Sequence, residues 1–223
     1  PEGHPRAGVP QSSPLSLGEV RTCAERPRGG AMVRPVIRPG PRPLHTTTVP
    51  DRPLLERAAE LAAIDGALAG AESGSTRTVV VVGEPGIGKS SLLTEGAALA
   101  VARGFDVRRA VFTVLSAQTP HGLLWEWFGA DAHDEEPGPA FDGPAEMLRD
   151  VLRGERTAEP VALAYAAQWA LSALDEERPL LLLVDDLQWA DEASRRLLTT
   201  LVARLSTERI AILIATRPDP ALD

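Results

Sequence analysis

Lysine is almost missing from this 223-residue chain: of 23 Lys and Arg residues, Lys89 is the one lysine. Cysteine is as rare, and a lone Cys23 cannot form a disulfide within the chain and suits a reducing compartment. Aromatic residues make up 4 % of the chain, and a net charge of −8 argues against a general nucleic-acid-binding surface. No apolar run approaches the roughly 20 residues needed to cross a bilayer. The N-terminus has no charged-then-apolar leader pattern. The four histidines (4, 45, 121 and 133) show no metal-ligand spacing. These absences lead to the expectation of a cytoplasmic protein free of membrane attachment, and 43 % hydrophobic content is enough for one sizeable core.

Alanine, arginine, glycine and proline are abundant, a bias that fits a GC-rich coding sequence and thins lysine everywhere. A lysine kept under that pressure is a candidate for chemistry that a planar guanidinium cannot perform, since a compact ammonium enters narrower places. Its surroundings decide the matter.

Residues 1–50 hold ten of the 20 prolines and seven arginines against three acids. Without sustained apolar periodicity, this stretch is expected to be a disordered or extended tail. From residue 51 a folded domain is expected to continue to residue 223. Leu54, Leu61, Ile64 and Leu68 recur at helical spacing. The stretch 76–82 is a short apolar β-branched run, as in a buried parallel strand. A helix is predicted from GKSSLL to about Arg103, then a less apolar strand over 105–114, a short aromatic helix over HGLLWEWFGA and an acidic, proline-broken loop over 131–144. Helices over 144–153 and 160–175, a strand over 178–186, a helix over 191–205 and a strand over 209–218 complete the pattern. Strands alternating with helices predict an α/β domain with a parallel sheet. Trp125, Trp127 and Phe128 read as core or interface, and Trp189 as packing beneath the loop after the third strand.

Lys89 closes the run Gly83-Glu84-Pro85-Gly86-Ile87-Gly88-Lys89-Ser90. That spacing is the phosphate-binding loop. Its chemistry needs backbone N–H groups turned inward around an anion, which glycines at positive φ permit. The following helix directs its N-terminal dipole at the same phosphates. On this reading Lys89 reaches the β- and γ-phosphates of ATP, and the Ser90 hydroxyl ligates Mg²⁺, with Ser91 beside it. The partner acid should end another buried strand, because ligands in such sheets lie beyond the carboxyl ends of strands. The run LLLLVDD supplies Asp185 to hold Mg²⁺ and Asp186 to orient or deprotonate an attacking water. Thr216 and Arg217 follow the last strand, where a cation would face the γ-phosphate from the side opposite Lys89.

The order LLERAAELAAI, VVVVGEPGIGKSSLL, TPHGLLWEWF, ERPLLLLVDDLQWADEASRRLL and ILIATRP resembles the ATPase module of large bacterial LuxR-type transcriptional regulators of the STAND class. It is also similar to origin-recognition-like AAA ATPase modules of other signalling proteins. The resemblance spans about residues 52–219, and DDLQWAD paired with ATRP is its most specific part. It implies a three-layer P-loop NTPase of the additional-strand type, with Gly83 through Ser90 as the phosphate site, Asp185 and Asp186 as metal and catalytic acids, and Arg217 as sensor. It places the segment around Arg57 near the adenine, although Glu56 stands where the family often has glycine. It further implies a nucleotide switch with slow hydrolysis, self-association or contact with downstream domains, and no DNA-reading element in this chain. A loading or mechanical ATPase, or a truncated product, are the alternatives.

In the additional-strand type the sensor strand lies between the other two functional strands. The expected order is therefore 78–82, 210–215, 180–184, 106–114. With no sequence in view to cover its outer side, strand 78–82 is expected to be an exposed apolar edge and an aggregation liability.

Overall fold

The computed structural model describes residues 20–22, 57–136 and 138–218. Among these residues, five strands form one sheet: β1 (Val20–Thr22), β2 (Arg77–Val82), β3 (Asp106–Val111), β4 (Leu180–Asp185) and β5 (Ile210–Thr216). They lie in the order β1-β2-β5-β4-β3. The pairs β2–β5, β5–β4 and β4–β3 are parallel. The expected four-strand order holds, with β5 inserted between β2 and β4.

Each central strand is buried on both faces because its residues feed two cores in alternation. Val79, Val81, Leu181, Leu183, Ala211, Leu213 and Ala215 pack with Ile64, Leu68, Leu92 and Leu93. These last four belong to α1 (Ala58–Glu72) and α2 (Lys89–Ala102). The intervening residues, among them Leu182, Val184, Ile212 and Ile214, pack with Leu123, Phe128, Leu163, Leu171 and Leu198. Those come from α3 (Gly122–Ala132), α5 (Pro160–Glu177) and α6 (Glu192–Arg204), with α4 (Glu146–Leu152) adding Leu148 and Leu152. Trp127 and Phe128 are core, as expected, whereas Trp125 is 43 % exposed and stacks on His133.

Three expectations need correction. Strand β2 is not a bare edge: β1 pairs with it antiparallel, Val20 against Val81 through Thr22 against Val79. The physical reason is legible afterwards, since residues 15–26 carry no proline in an otherwise proline-dense tail, so their N–H groups can join a ladder. The rest of the expected tail, and Leu54 and Glu56 before α1, lie outside the described residues. Strand β3 stops at Val111 rather than 114, where Ser116 turns the chain by donating to the Thr113 carbonyl and accepting from the Thr113 N–H on its hydroxyl. The acidic loop begins later than residue 131, because Asp131 and Ala132 still belong to α3.

Candidate functional site

Parallel strands of matched register end together. Val82 pairs with Thr216, and Val111 with Asp185, so the loops that follow β2, β5, β4 and β3 share one rim of the sheet. Gly83 through Ser91, Asp185, Asp186 and Arg217 lie on that rim or on the helix that leaves it.

The loop after β2 is shaped by two glycines in the left-handed region, Gly86 at φ +78° and Gly88 at φ +91°. A side chain at either position would be strained, and a Cβ on Gly88 would come within 3.0 Å of the Arg57 guanidinium. Gly88 is the N-cap of α2 and offers no side chain. The N–H groups of Lys89, Ser90 and Ser91 in the first helical turn therefore have no intrahelical carbonyl to pair with. They and the helix dipole form an anion-favouring end. Gly83 is tied to the neighbouring strand, its N–H donating to the Thr216 carbonyl at 3.2 Å.

Lys89 is buried, 6 % exposed, and its ammonium donates to the carbonyls of Gly83 (2.8 Å) and Glu84 (3.1 Å). Arg57, immediately before α1, donates to the Gly88 carbonyl at 2.9 Å and to the Ile87 carbonyl. Two cations thus hold the carbonyl side of the loop from its two ends. Ser90 and residues Glu84, Pro85 and Gly86 face solvent.

Asp185 ends β4 on the face shared with Leu181 and Leu183, the side covered by α1 and α2. Its side chain is 4 % exposed. Oδ2 accepts one long contact, 3.4 Å, from Arg109 of β3, and Oδ1 finds no hydrogen-bond partner among the described residues. Asp186 adopts φ +55°, a left-handed conformation that a short polar side chain tolerates. Gln188 holds it there, donating its amide to Asp186 Oδ1 at 2.7 Å while its carbonyl oxygen accepts the Arg217 N–H at 3.2 Å. The Arg217 guanidinium lies over the Trp189 ring, 5.2 Å from its centroid. Trp189 thus packs against Arg217 as well as against the core.

The fold gathers on one rim the residues that the sequence singled out as phosphate loop, acid pair and following arginine: Gly83–Ser90, Asp185, Asp186 and Arg217. Sequence reasoning missed Gln188 and Arg109. Gln188 stands in the quoted DDLQWAD run, but its bridging of two strands needs the inserted β5. Arg109 was one of two adjacent arginines in a strand, a pattern without a chemical signature.

A glycine-shaped loop between strand and helix, a buried acid at the end of β4 and a strand inserted between them together define a P-loop NTPase of additional-strand topology. Within that class, a family model described as an AAA ATPase domain matches residues 53–214. The chain belongs to the AAA ATPase domain family, whose activity is ATP binding and hydrolysis. No match is found among curated proteins. Among solved structures the chain is similar to the Aeropyrum pernix ORC2 protein in its ADPNP–ADP complexes, at 20 % identity and a TM-score of 0.46, covering 76 % of this chain and 43 % of that one. The chain thus spans less than half of that protein. No helix among the described residues is long and apolar enough to cross a membrane.

Proposed function

We propose that residues 51–223 form a Mg²⁺-dependent ATP-binding module that hydrolyses slowly and works as a nucleotide switch within a longer regulator, of the LuxR type that the sequence resembles. The observation that carries it is the pairing, across one sheet rim, of a buried lysine under a glycine loop with a buried carboxylate one of whose oxygens lacks a partner among the described residues. A buried carboxylate in that condition is costly unless a cation comes to it. The donor set therefore fits a divalent ion held by Asp185 and the Ser90 hydroxyl. Such an ion would supply charge neutralisation between the outer phosphates.

The chain's own residues would do the rest. Lys89 exchanges its bonds to the Gly83 and Glu84 carbonyls for phosphate oxygens, a charge-assisted contact that replaces neutral acceptors. The backbone of Gly83 through Ser91 cradles the phosphate chain. Asp186 orients and accepts a proton from the attacking water, held at its angle by Gln188. Arg217 carries the signal outward: its backbone is tied to Gln188 and its guanidinium stacks on Trp189. A guanidinium drawn toward phosphate would leave that ring and loosen the loop at residues 187–189. Arg57, on the carbonyls of Ile87 and Gly88, links α1 to the loop beside the base. Self-association, or contact with further domains, would read the change.

The test is titration calorimetry with ATP and Mg²⁺. Loss of one charged contact to phosphate should weaken binding in Lys89→Ala by about 100-fold. Undiminished affinity in that variant would sink the site assignment.

A further inference from the structure

Two adjacent arginines on β3 are treated very differently by their surroundings. Arg108 is well paired: it meets Asp106 and Asp131 and donates to the Trp127 carbonyl at 2.8 Å. Its job is to pin α3 to the sheet. Arg109, on the opposite face, has one side-chain contact among the described residues, the 3.4 Å approach to Asp185 Oδ2. Its Nε is buried and has no partner among the described residues, as is true of Asp185 Oδ1. A settled Arg–carboxylate pair is bidentate, with contacts of about 2.7–2.9 Å. This one is single and long, and each partner keeps an unused polar atom.

The placement is not accidental to the strand. Val111 is the register partner of Asp185, so Arg109 lies two residues before it, on the same face of the sheet. Among the described residues β3 is the outermost strand on that side, which leaves the Arg109 side chain 30 % exposed. Among the described residues, Arg109 is the cation that pairs with Asp185.

Resting on Asp185 as the metal acid, we propose that Arg109 is a competing countercharge: guanidinium and divalent cation share one carboxylate. Arg109 then sets the cation concentration that the site requires. The loose geometry suits that role, because a bidentate pair would be hard for an ion to displace, whereas a single long contact neutralises the buried carboxylate and still yields. Arg109 is a positioning residue and touches no reacting atom.

The experiment is thermal melting of the chain titrated with MgCl₂ alone, for the parent, Arg109→Gln, Arg109→Lys and Asp185→Asn. Without Mg²⁺, Arg109→Gln should melt at least about 5 °C below the parent, since it strands a buried carboxylate. Its Mg²⁺ midpoint should fall about tenfold, because the competitor is gone. Arg109→Lys, which keeps the charge, should titrate near the parent. Asp185→Asn should lose the Mg²⁺ response. If Asp185→Asn loses it and Arg109→Gln titrates like the parent, the competition is overturned while the metal-acid reading stands. If Asp185→Asn keeps the parent response, the metal-acid reading itself fails. Should Arg109→Gln not fold, the double variant with Asp185→Asn decides: recovered folding supports the pairing, and failure to recover overturns it.

Discussion

At the scale of single residues, Asp186 carries the sharpest consequence. Its positive φ would strain most side chains, but asparagine tolerates that region as well as aspartate does. Asp186→Asn should therefore keep the fold and the Gln188 contact while losing the carboxylate that accepts a proton. Single-turnover assays should show ATP hydrolysis slowed about 100-fold or more, with ATP affinity nearly unchanged. Hydrolysis at the parent rate would remove Asp186 from the reaction. Residues such as Lys89, Gly86 and Gly88 were legible because their chemistry is fixed by spacing along the chain. Gln188 and Arg109 were not, because their meaning comes from neighbours 29 and 76 residues away in sequence.

At the scale of elements, one carboxylate fastens two helices. Asp191 caps α6 by accepting from the Ser194 N–H, and the same carboxylate accepts the N–H groups of His121 and Gly122 at the start of α3. Burial by itself would raise its pKa, but the bonds from Ser194, His121 and Gly122 outweigh that and hold the carboxyl below the usual aspartate value. A depressed folded pKa contributes stability that is fully present above the unfolded value of about 4 and is lost as pH falls through the folded value. Asp191→Ala should cost about 2–3 kcal/mol at neutral pH by denaturant unfolding. The gap between variant and parent should narrow as the pH drops below about 4. Close packing supplies a second element-scale test. A Cβ on Gly96 of α2 would sit 3.0 Å from Leu213 of β5 and 3.2 Å from Ile64 of α1, so Gly96→Val should destabilise by about 1–3 kcal/mol through overpacking. The helix that begins beside Asp191 was readable from sequence. The reach of Asp191 to α3 was not, since a cap shared between helices depends on how they are stacked.

At the scale of the whole molecule, the sheet order was readable because four apolar runs and a phosphate loop leave few parallel arrangements, and the resemblance selected the one with β5 inserted. The cover on β2 was not readable, because β1 is three residues long and lies in a stretch whose composition argues against structure. That brevity should be visible in time. Strand β2 is bonded to β5 over Arg77–Val82 and to β1 over Val79–Val81. Successive amides of a strand point to alternate sides. Those directed at β5 belong to the buried centre of the sheet and can exchange with solvent deuterium only through near-global opening. Those directed at β1 need only a three-residue ribbon to lift, a far cheaper event. Native-state hydrogen exchange by NMR should therefore show slow and fast amides alternating residue by residue across 79–81. Uniformly slow exchange there would mean that β1 is held as firmly as the core. The alternation would instead divide the strand into one side that keeps core time and one that keeps the time of β1.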